Sequence, residues 1–448
     1  MYEKSLFIFR RDLRLNDNTG LIKSLANSKN VIPCFIYDDN LLKNSTISEF
    51  RWNFLNESLF DLDLELKKKK STLHQFRGDS SLIVDEIIQK FNVDAIFTNT
   101  DFSEYSKSRD SKINEICKKN KIDFHLSLDY LLHNPYDIKT NDEKPYMIYS
   151  HFYKKARQLA VRLPSKNSKN NYSNAKISKV KIKMPEIKNP IIPGGRNEGL
   201  KILKNLEKFI DYDKFRDFPS LCHTTTLSAH NKFGTLSIRE IYHAIEQKLG
   251  LDHVLMGEIY WREFFNHILF NFPWSQTKSF RKKFQKIKWT KSKENFSAWC
   301  DGETGFPIVD AGMRQLNQTG FMHNRVRMIV ASFLTKDLHI DWRLGERYFA
   351  KKLVDYDPAV NVGNWQWAAS TGCDSVPYFR IFNPWLQQEK FDCDCLYIKK
   401  WVTELNKLSP KIIHNLWKCF PEDLNYVRPI VNHKIESEKT KLIFKSQK

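Results

Sequence analysis

The first 130 or so residues switch repeatedly between two hydrophobic periods, and this narrows the possible folds more than any other feature. Short β-type runs occur at 6–9, 31–37, 72–76, 95–98 and 124–126. Helical patterns lie between them. The clearest has Phe50, Phe54, Leu55, Leu59, Leu62 and Leu66, whose spacing puts all six on one helical face. It runs into Lys67–Lys70, cations that suit a helix C-terminus. Strands alternating with helices predict an α/β domain built on a doubly wound, five-stranded parallel sheet. A ligand of such a sheet sits beyond the carboxyl ends of the strands. No Gly-x-Gly-x-x-Gly follows the first strand, so a dinucleotide fingerprint is missing.

Beyond that the alternation stops. Residues 131–195 carry little pattern, and 166–190 hold seven lysines against one acid, Glu186. Pro185, Pro190, Pro193, Gly194 and Gly195 punctuate its end, as in a connector over the surface. From Arg196 onward the periodicity is helical, notably over 255–272 and 309–338, and ten of the eleven tryptophans lie after residue 250. The expected organisation is an α/β domain at 1–130, a linker at 131–195 and a larger all-α domain at 196–448.

At 448 residues the chain can bury its cores without disulfides. No run approaches the ~20 apolar residues a spanning helix needs, and the N-terminus enters a strand rather than a signal peptide. The eight cysteines include no Cys-x-x-Cys pair, and Cys393-Asp394-Cys395 lacks a second pair to complete a zinc site. The expectation is a cytoplasmic protein with reduced thiols, no metal and no membrane contact. The formal net charge of +20 suggests a polyanionic partner. Lys-rich codon usage on a solvated surface accounts for it equally well.

Four constellations could carry chemistry. Glu258, Trp261, Arg262 and Phe265 share one helical face. They could form a structural ion-pair cluster or line a pocket for a planar, hydrogen-bonding ligand. Asn324 and Met328 sit at i and i+4, beside His323 and Arg327. Asp355 to Trp367 reads as an ordered polar loop, the kind that surrounds a cofactor. Its ligand set is too short for a calcium loop. Thr224, Thr225, Thr226, Leu227 and Ser228 place hydroxyls at an expected helix start, where they could meet a phosphate or simply cap the helix.

Taken in order, these segments resemble the photolyase/cryptochrome family, and within it the class I cyclobutane pyrimidine dimer photolyases. The resemblance runs essentially the whole length. It begins at Phe9-Arg10-Arg11-Asp12-Leu13-Arg14-Leu15 and continues through Arg216-Asp217-Phe218-Pro219, Trp261-Arg262-Glu263-Phe264 and Met322-His323-Asn324-Arg325. It is densest over Asp341-Trp342-Arg343, Trp365-Gln366-Trp367-Ala368-Ala369-Ser370 and Phe379-Arg380-Ile381-Phe382-Asn383-Pro384. Leu255, Gly257 and Ala229 depart from the family's usual residues.

The resemblance implies a blue-light DNA-repair enzyme, a deoxyribodipyrimidine photo-lyase that holds FAD in its helical domain and binds damaged DNA as a monomer. It maps FAD phosphate contacts onto Tyr212, Thr224, Thr225, Thr226, Leu227 and Ser228. It maps contacts near the flavin ring onto Glu258, Trp261, Arg262, Asn324, Arg327, Asp355, Asp357 and Asn361, with Asn361 facing flavin N5. The lesion pocket would be Glu258, Trp261, Asn324, Met328 and Trp367. Arg262, Arg325 and Arg380 would face DNA, and Trp365, Trp342 and Trp289 would form the electron-transfer chain.

Rival readings differ at single positions. A (6-4) photolyase would carry histidines where this chain has Asn324 and Met328. A cryptochrome photoreceptor would keep FAD and the tryptophans but signal through a partner instead of repairing DNA. For the antenna, Tyr105-Ser106 stands where folate users tend to carry Asn-Glu. The pattern Asp101-x-x-x-Tyr105-x-x-x-Arg109-Asp110 is closer to members with a deazaflavin or second flavin, though Arg109 and Asp110 could merely begin a helix.

Overall fold

The structure, a computed structural model, describes residues 1–43, 48–175, 187 and 190–447. The lysines at 176–188, expected to form a solvated connector, lie outside the described residues.

Five strands form one all-parallel sheet: β1 (Tyr2–Phe9), β2 (Ser28–Asp38), β3 (His74–Gly78), β4 (Ala95–Asn99) and β5 (Asp123–Ser127), in the order β3-β2-β1-β4-β5. Four of the expected runs lie within strands, and the run at 72–76 overlaps β3, which begins two residues later, at His74. Leu6, Phe7, Ile8 and Phe9 are all buried, so β1 is covered on both faces and reads as a continuous apolar stretch rather than an alternation. Ser5 pairs with both Val31 and Ala95, placing β1 between the two halves of the sheet. The chain winds outward through β2 and β3, then returns to β4 on the other side, so the switch point lies at the carboxyl ends of β1 and β4. Helices α1 (Thr19–Asn27), α2 (Glu49–Lys68), α3 (Ser80–Phe91) and α4 (Glu104–Lys119) connect the strands. Asn18 and Asp79 cap α1 and α3 by accepting backbone N–H groups.

By compactness the chain divides into two units. The first comprises Met1–Tyr146, Ser150–Lys208 and Thr225–Pro273. It therefore holds the sheet and also α5 (Leu227–Phe233), α6 (Ile238–Leu249) and α7 (Val254–Asn271). A buried charge network ties these together. Arg239 on α6 donates to Asp17 at 2.7 Å and to Asp129 at 2.9 Å, and Arg14 donates to Asp129 as well. All four side chains are almost fully buried. Removing one partner would strand a buried charge, which costs about 3–5 kcal/mol. The Arg-Asp-Leu-Arg motif thus has a structural task in this unit.

The second unit comprises Met147–Tyr149, Phe209–Thr224 and Trp274–Lys448 and is helical. It contains α8 (Lys293–Asp301), α9 (Pro307–Thr319), α10 (Asn324–Ser332), α11 (Trp342–Lys352), α12 (Pro358–Ala368) and α13 (His433–Lys445). The stretch 309–338, expected as one helical pattern, is three pieces. Gly320, in the left-handed region at φ 68°, ends α9, and His323 caps α10 by accepting the Arg325 N–H. A π-helical turn, Phe333–Asp337, then closes α10. The core of this unit gathers Trp299, Trp342 and Trp365 with Phe306, Phe333 and Phe349.

Candidate active site

In the first unit, α7 is buried almost all round. At its N-terminal half Val254, Gly257, Glu258 and Trp261 form the open stripe, at the i, i+3, i+4, i+7 spacing of one face. A carboxylate and an indole are therefore offered together on an otherwise covered helix. The Trp261 ring packs on Phe265 with centroids 5.6 Å apart, which fixes its orientation. Arg262 turns inward instead. Its guanidinium meets Glu263 at 3.0 Å and lies 5.6 Å from the Tyr130 ring centroid. Burial pushes the Glu263 carboxyl up to about 7, against the pull of Arg262 and the Leu132 N–H.

At the start of α5, Thr226 adopts a left-handed backbone, φ 53°, rare for a β-branched residue. Its hydroxyl donates to the Thr225 carbonyl at 2.7 Å and makes no cap to α5. The Leu227 N–H makes only a long, 3.5 Å hydrogen bond to the Thr225 hydroxyl.

In the second unit, α10, α11 and α12 present the remaining groups. Asn324 donates to the Met328 sulfur at 3.9 Å, so the amide and thioether do share a face. Arg325 pairs with Asp217 at 2.7 Å and stacks on Phe391, which ties the Asp217 side chain to the start of α10. Arg327 pairs with Asp355 at 3.0 Å and donates through Nε to the Met322 carbonyl. Arg380 is exposed beside the largely exposed Phe379. Thr224 closes the 209–224 segment of this unit.

The stretch from Asp355 to Trp367 is helical from Pro358, contrary to the loop expected. Asp357 accepts the Ala359 N–H as N-cap and Pro358 occupies the first turn. Helical spacing puts Asn361 and Trp365 on one face, both buried. Asn361 donates its amide to Glu346 on α11, at 2.9 Å to the carboxylate and 3.2 Å to the carbonyl. The amide oxygen is left to an outside partner. Burial holds the Glu346 carboxyl above the usual range. Trp367 is half-buried and tilted against Phe382. Gln366 staples the helix from behind, accepting from the Phe280 N–H and donating to the Ser275 carbonyl.

Trp365, Trp342 and Trp289 belong to one aromatic core, with Trp365 and Trp342 buried and Trp289 half-buried at its edge. Gly345 makes room for Trp365: a Cβ there would fall 2.1 Å from its ring. Sequence reasoning missed Glu346, Gly345 and Gln366 as supports, because each acts on a helix or segment remote in sequence. It also missed Lys336, buried with its Nζ on Ser370 Oγ at 2.9 Å and over the Phe444 ring at 3.8 Å.

Residues 5–169 match the DNA photolyase family model, and residues 255–446 match the model for the FAD binding domain of DNA photolyase. A deoxyribodipyrimidine photo-lyase of Synechococcus is 34% identical over 99% of this chain and 96% of its own. The chain belongs to the DNA photolyase family. Among solved structures, an archaeal photolyase from Sulfolobus tokodaii with two FAD molecules is 40% identical. It covers 99% of this chain and 100% of its own, with a TM-score of 0.86. A Synechocystis cryptochrome, 26% identical over 99% of both chains, superposes with a TM-score of 0.91. Fold likeness therefore does not separate repair enzyme from photoreceptor, whereas the curated relative is a repair enzyme by name.

Taken unit by unit, the groups are of the kinds a flavin dinucleotide needs. In the first unit, hydroxyls and the weakly engaged N–H groups at 225–228 suit a phosphate. In the second, the Arg327–Asp355 pair suits polar ring edges, and Asn361 keeps an acceptor for a ring N–H.

Proposed function

We propose that this protein splits cyclobutane pyrimidine dimers in DNA under blue light, with FAD in its reduced form as the electron donor. The observation that carries the reading is the kind of group each unit presents. In the first unit the open stripe of α7 offers Glu258 and Trp261; in the second, α10 offers Asn324 beside Met328. Two carbonyl-rich, apolar-faced bases call for that mixture of hydrogen-bonding edges and flat surfaces.

When bound, FAD supplies the light-driven electron. The chain supplies the rest. Trp261 and Trp367 give ring faces to a flipped dimer, each stacking contact worth ~1–3 kcal/mol. Glu258 holds a thymine edge and stabilises charge there, a preorganised electrostatic role. Flipping costs a few kcal/mol, least at a damaged site. Asn324 presents an amide to a base edge while Met328 fills the adjoining apolar space. Thr224 to Ser228, Tyr212, Arg327, Asp355, Asp357 and Asn361 would hold the cofactor, and Arg325 and Arg380 would meet phosphates. Buried Trp365 and Trp342, with half-buried Trp289 at the edge of the same core, suit a chain that ends near the surface. We expect a monomer, with an α/β antenna domain at 1–130 and the catalytic region at 196–448.

For the antenna, a deazaflavin or flavin suits the switch point of the sheet. Arg10 forms a two-point pair with Asp110, Arg11 reaches Asp101, and Arg109 keeps a buried Nη2 with no hydrogen-bond partner among the described residues. Absorbance of pigment extracted from protein of the native host tests this; folate as the sole second pigment would refute it.

The repair reading is tested by giving photoreduced protein DNA containing thymine dimers. Dimers should disappear in blue light only. Intact flavin binding with no light-dependent loss would favour the photoreceptor.

A further inference from the structure

Trp289, the outer end of the proposed tryptophan chain, lies in a segment of one-sided charge. Residues 278–293 contain eight Lys and Arg and no Asp or Glu. Seven of these are lysines, and all seven are exposed. Phe284 and Ile287 turn inward and pack with Phe444 of α13. That leaves Lys283, Lys286 and Lys288 on the outside, next to the half-buried Trp289, whose ring lies 6.5 Å from Phe444.

Three other lysines of this unit are paired locally, whereas the run at 278–293 is set apart by its density of cations without an acid. Lys439 meets Glu436 at 2.8 Å, Lys441 meets Glu438 at 2.6 Å and Lys214 meets Asp211 at 2.7 Å. Among the described residues, none of the seven lysines near Trp289 has a carboxylate within 4.0 Å. Like charges this close lie within a Debye length of about 8–10 Å and repel one another. Such an arrangement lowers stability slightly and raises the rate of encounter with an anionic partner.

We infer that this lysine strip is the docking face for an acidic one-electron carrier protein that re-reduces Trp289. The inference rests on the reading of Trp289 as the outer end of the electron path. Once light has moved one electron inward from Trp289, the indole is one electron short. The carrier is oxidised by one electron and Trp289 returns to its closed-shell form. An indole that had lost its Nε1 proton takes one back from water. The lysines are solvated and spread along sixteen residues, with no buried donor among them converging on a point. That suits an extended acidic face better than a small anion.

The test uses the full-length flavin-loaded protein and reduced flavodoxin as the acidic carrier, with neutral hydroxymethylferrocene as control. After a blue flash, the second-order decay of the Trp289 radical is followed at low and high salt. Wild type should react with flavodoxin at least tenfold faster at low salt, within the range of electrostatic steering. A Lys283→Glu/Lys286→Glu/Lys288→Glu variant should lose that advantage and react unchanged with hydroxymethylferrocene. The corresponding Lys→Arg variant should keep it. Calorimetric binding of oxidised flavodoxin should weaken in parallel. Equal flavodoxin rates in the Glu and Arg variants would overturn the inference. So would a loss confined to affinity for dimer-containing duplex, which would assign the strip to DNA. If Trp289→Phe leaves the flash-induced radical unaltered, the electron-path reading fails instead.

Discussion

Asn361 on α12 gives its amide N–H groups to Glu346 on α11, fifteen residues earlier in the chain. An amide held this way has one orientation, with its oxygen turned away from Glu346. Glu346→Gln keeps the volume but allows the Asn361 amide to flip, since a glutamine can donate as well as accept. If that oxygen accepts from reduced flavin, the variant should destabilise the reduced form by about 1 kcal/mol, one hydrogen bond's worth. Spectroelectrochemical titration reads this as a lower midpoint potential. An unchanged potential would remove Asn361 from the flavin edge.

Gly345 lets Trp365 lie against α11. Gly345→Ala would place a methyl 2.1 Å from the indole and 2.5 Å from Leu334. Overpacking of that kind costs about 1–3 kcal/mol and displaces the ring. Thermal unfolding should show the loss of stability, and the yield of light-driven flavin reduction should fall in protein that remains folded.

Lys336 gives a pH signature. Burial lowers its ammonium to about 7 from an ordinary value near 10.5. Between those values the unfolded chain binds a proton that the native chain does not, so this group makes stability rise with pH across the window. Asp337 acts elsewhere. Its carboxyl, raised to about 6 by burial, makes stability fall as pH rises from roughly 4 to 6. Lys336→Met should raise Tm at pH 7 and flatten the rise between pH 7 and 10. A variant with a lower Tm and the same slope would show that the lysine is stabilising as a cation.

Much of the fold is legible because burial on both faces leaves a continuous apolar run, as in β1 and β2. The helix at Pro358–Ala368 was harder. Gly363, Asn361 and Asn364 depress helix propensity, yet Asp357 and Pro358 are start signals and burial of Asn361 and Trp365 completes the helix. Site residues that share one helix were readable from spacing, as Asn324 and Met328 were. Contacts between helices, such as Glu346 with Asn361 or Lys336 with Ser370, leave no periodic trace. The inward turn of Arg262 depended on Glu263 and Tyr130, which spacing alone could not weigh.

Glu258 stands on the open stripe of α7. Glu258→Ala should lower repair per absorbed photon on the order of tenfold or more, as loss of a preorganised electrostatic group does. Flavin absorbance should stay intact. Loss of flavin in place of lost repair would make Glu258 a support for the cofactor.

Trp365→Phe separates two uses of light. The variant should no longer photoreduce its flavin, while protein reduced chemically should still repair. Failure of the chemically reduced variant would place Trp365 in the repair step itself.

The most direct test is the action spectrum of dimer loss by the reduced protein. Repair should be absent in the dark and should follow the absorption of the bound pigments through the near-ultraviolet and blue. Dimer loss in the dark, or none at any wavelength with flavin bound, would contradict the account.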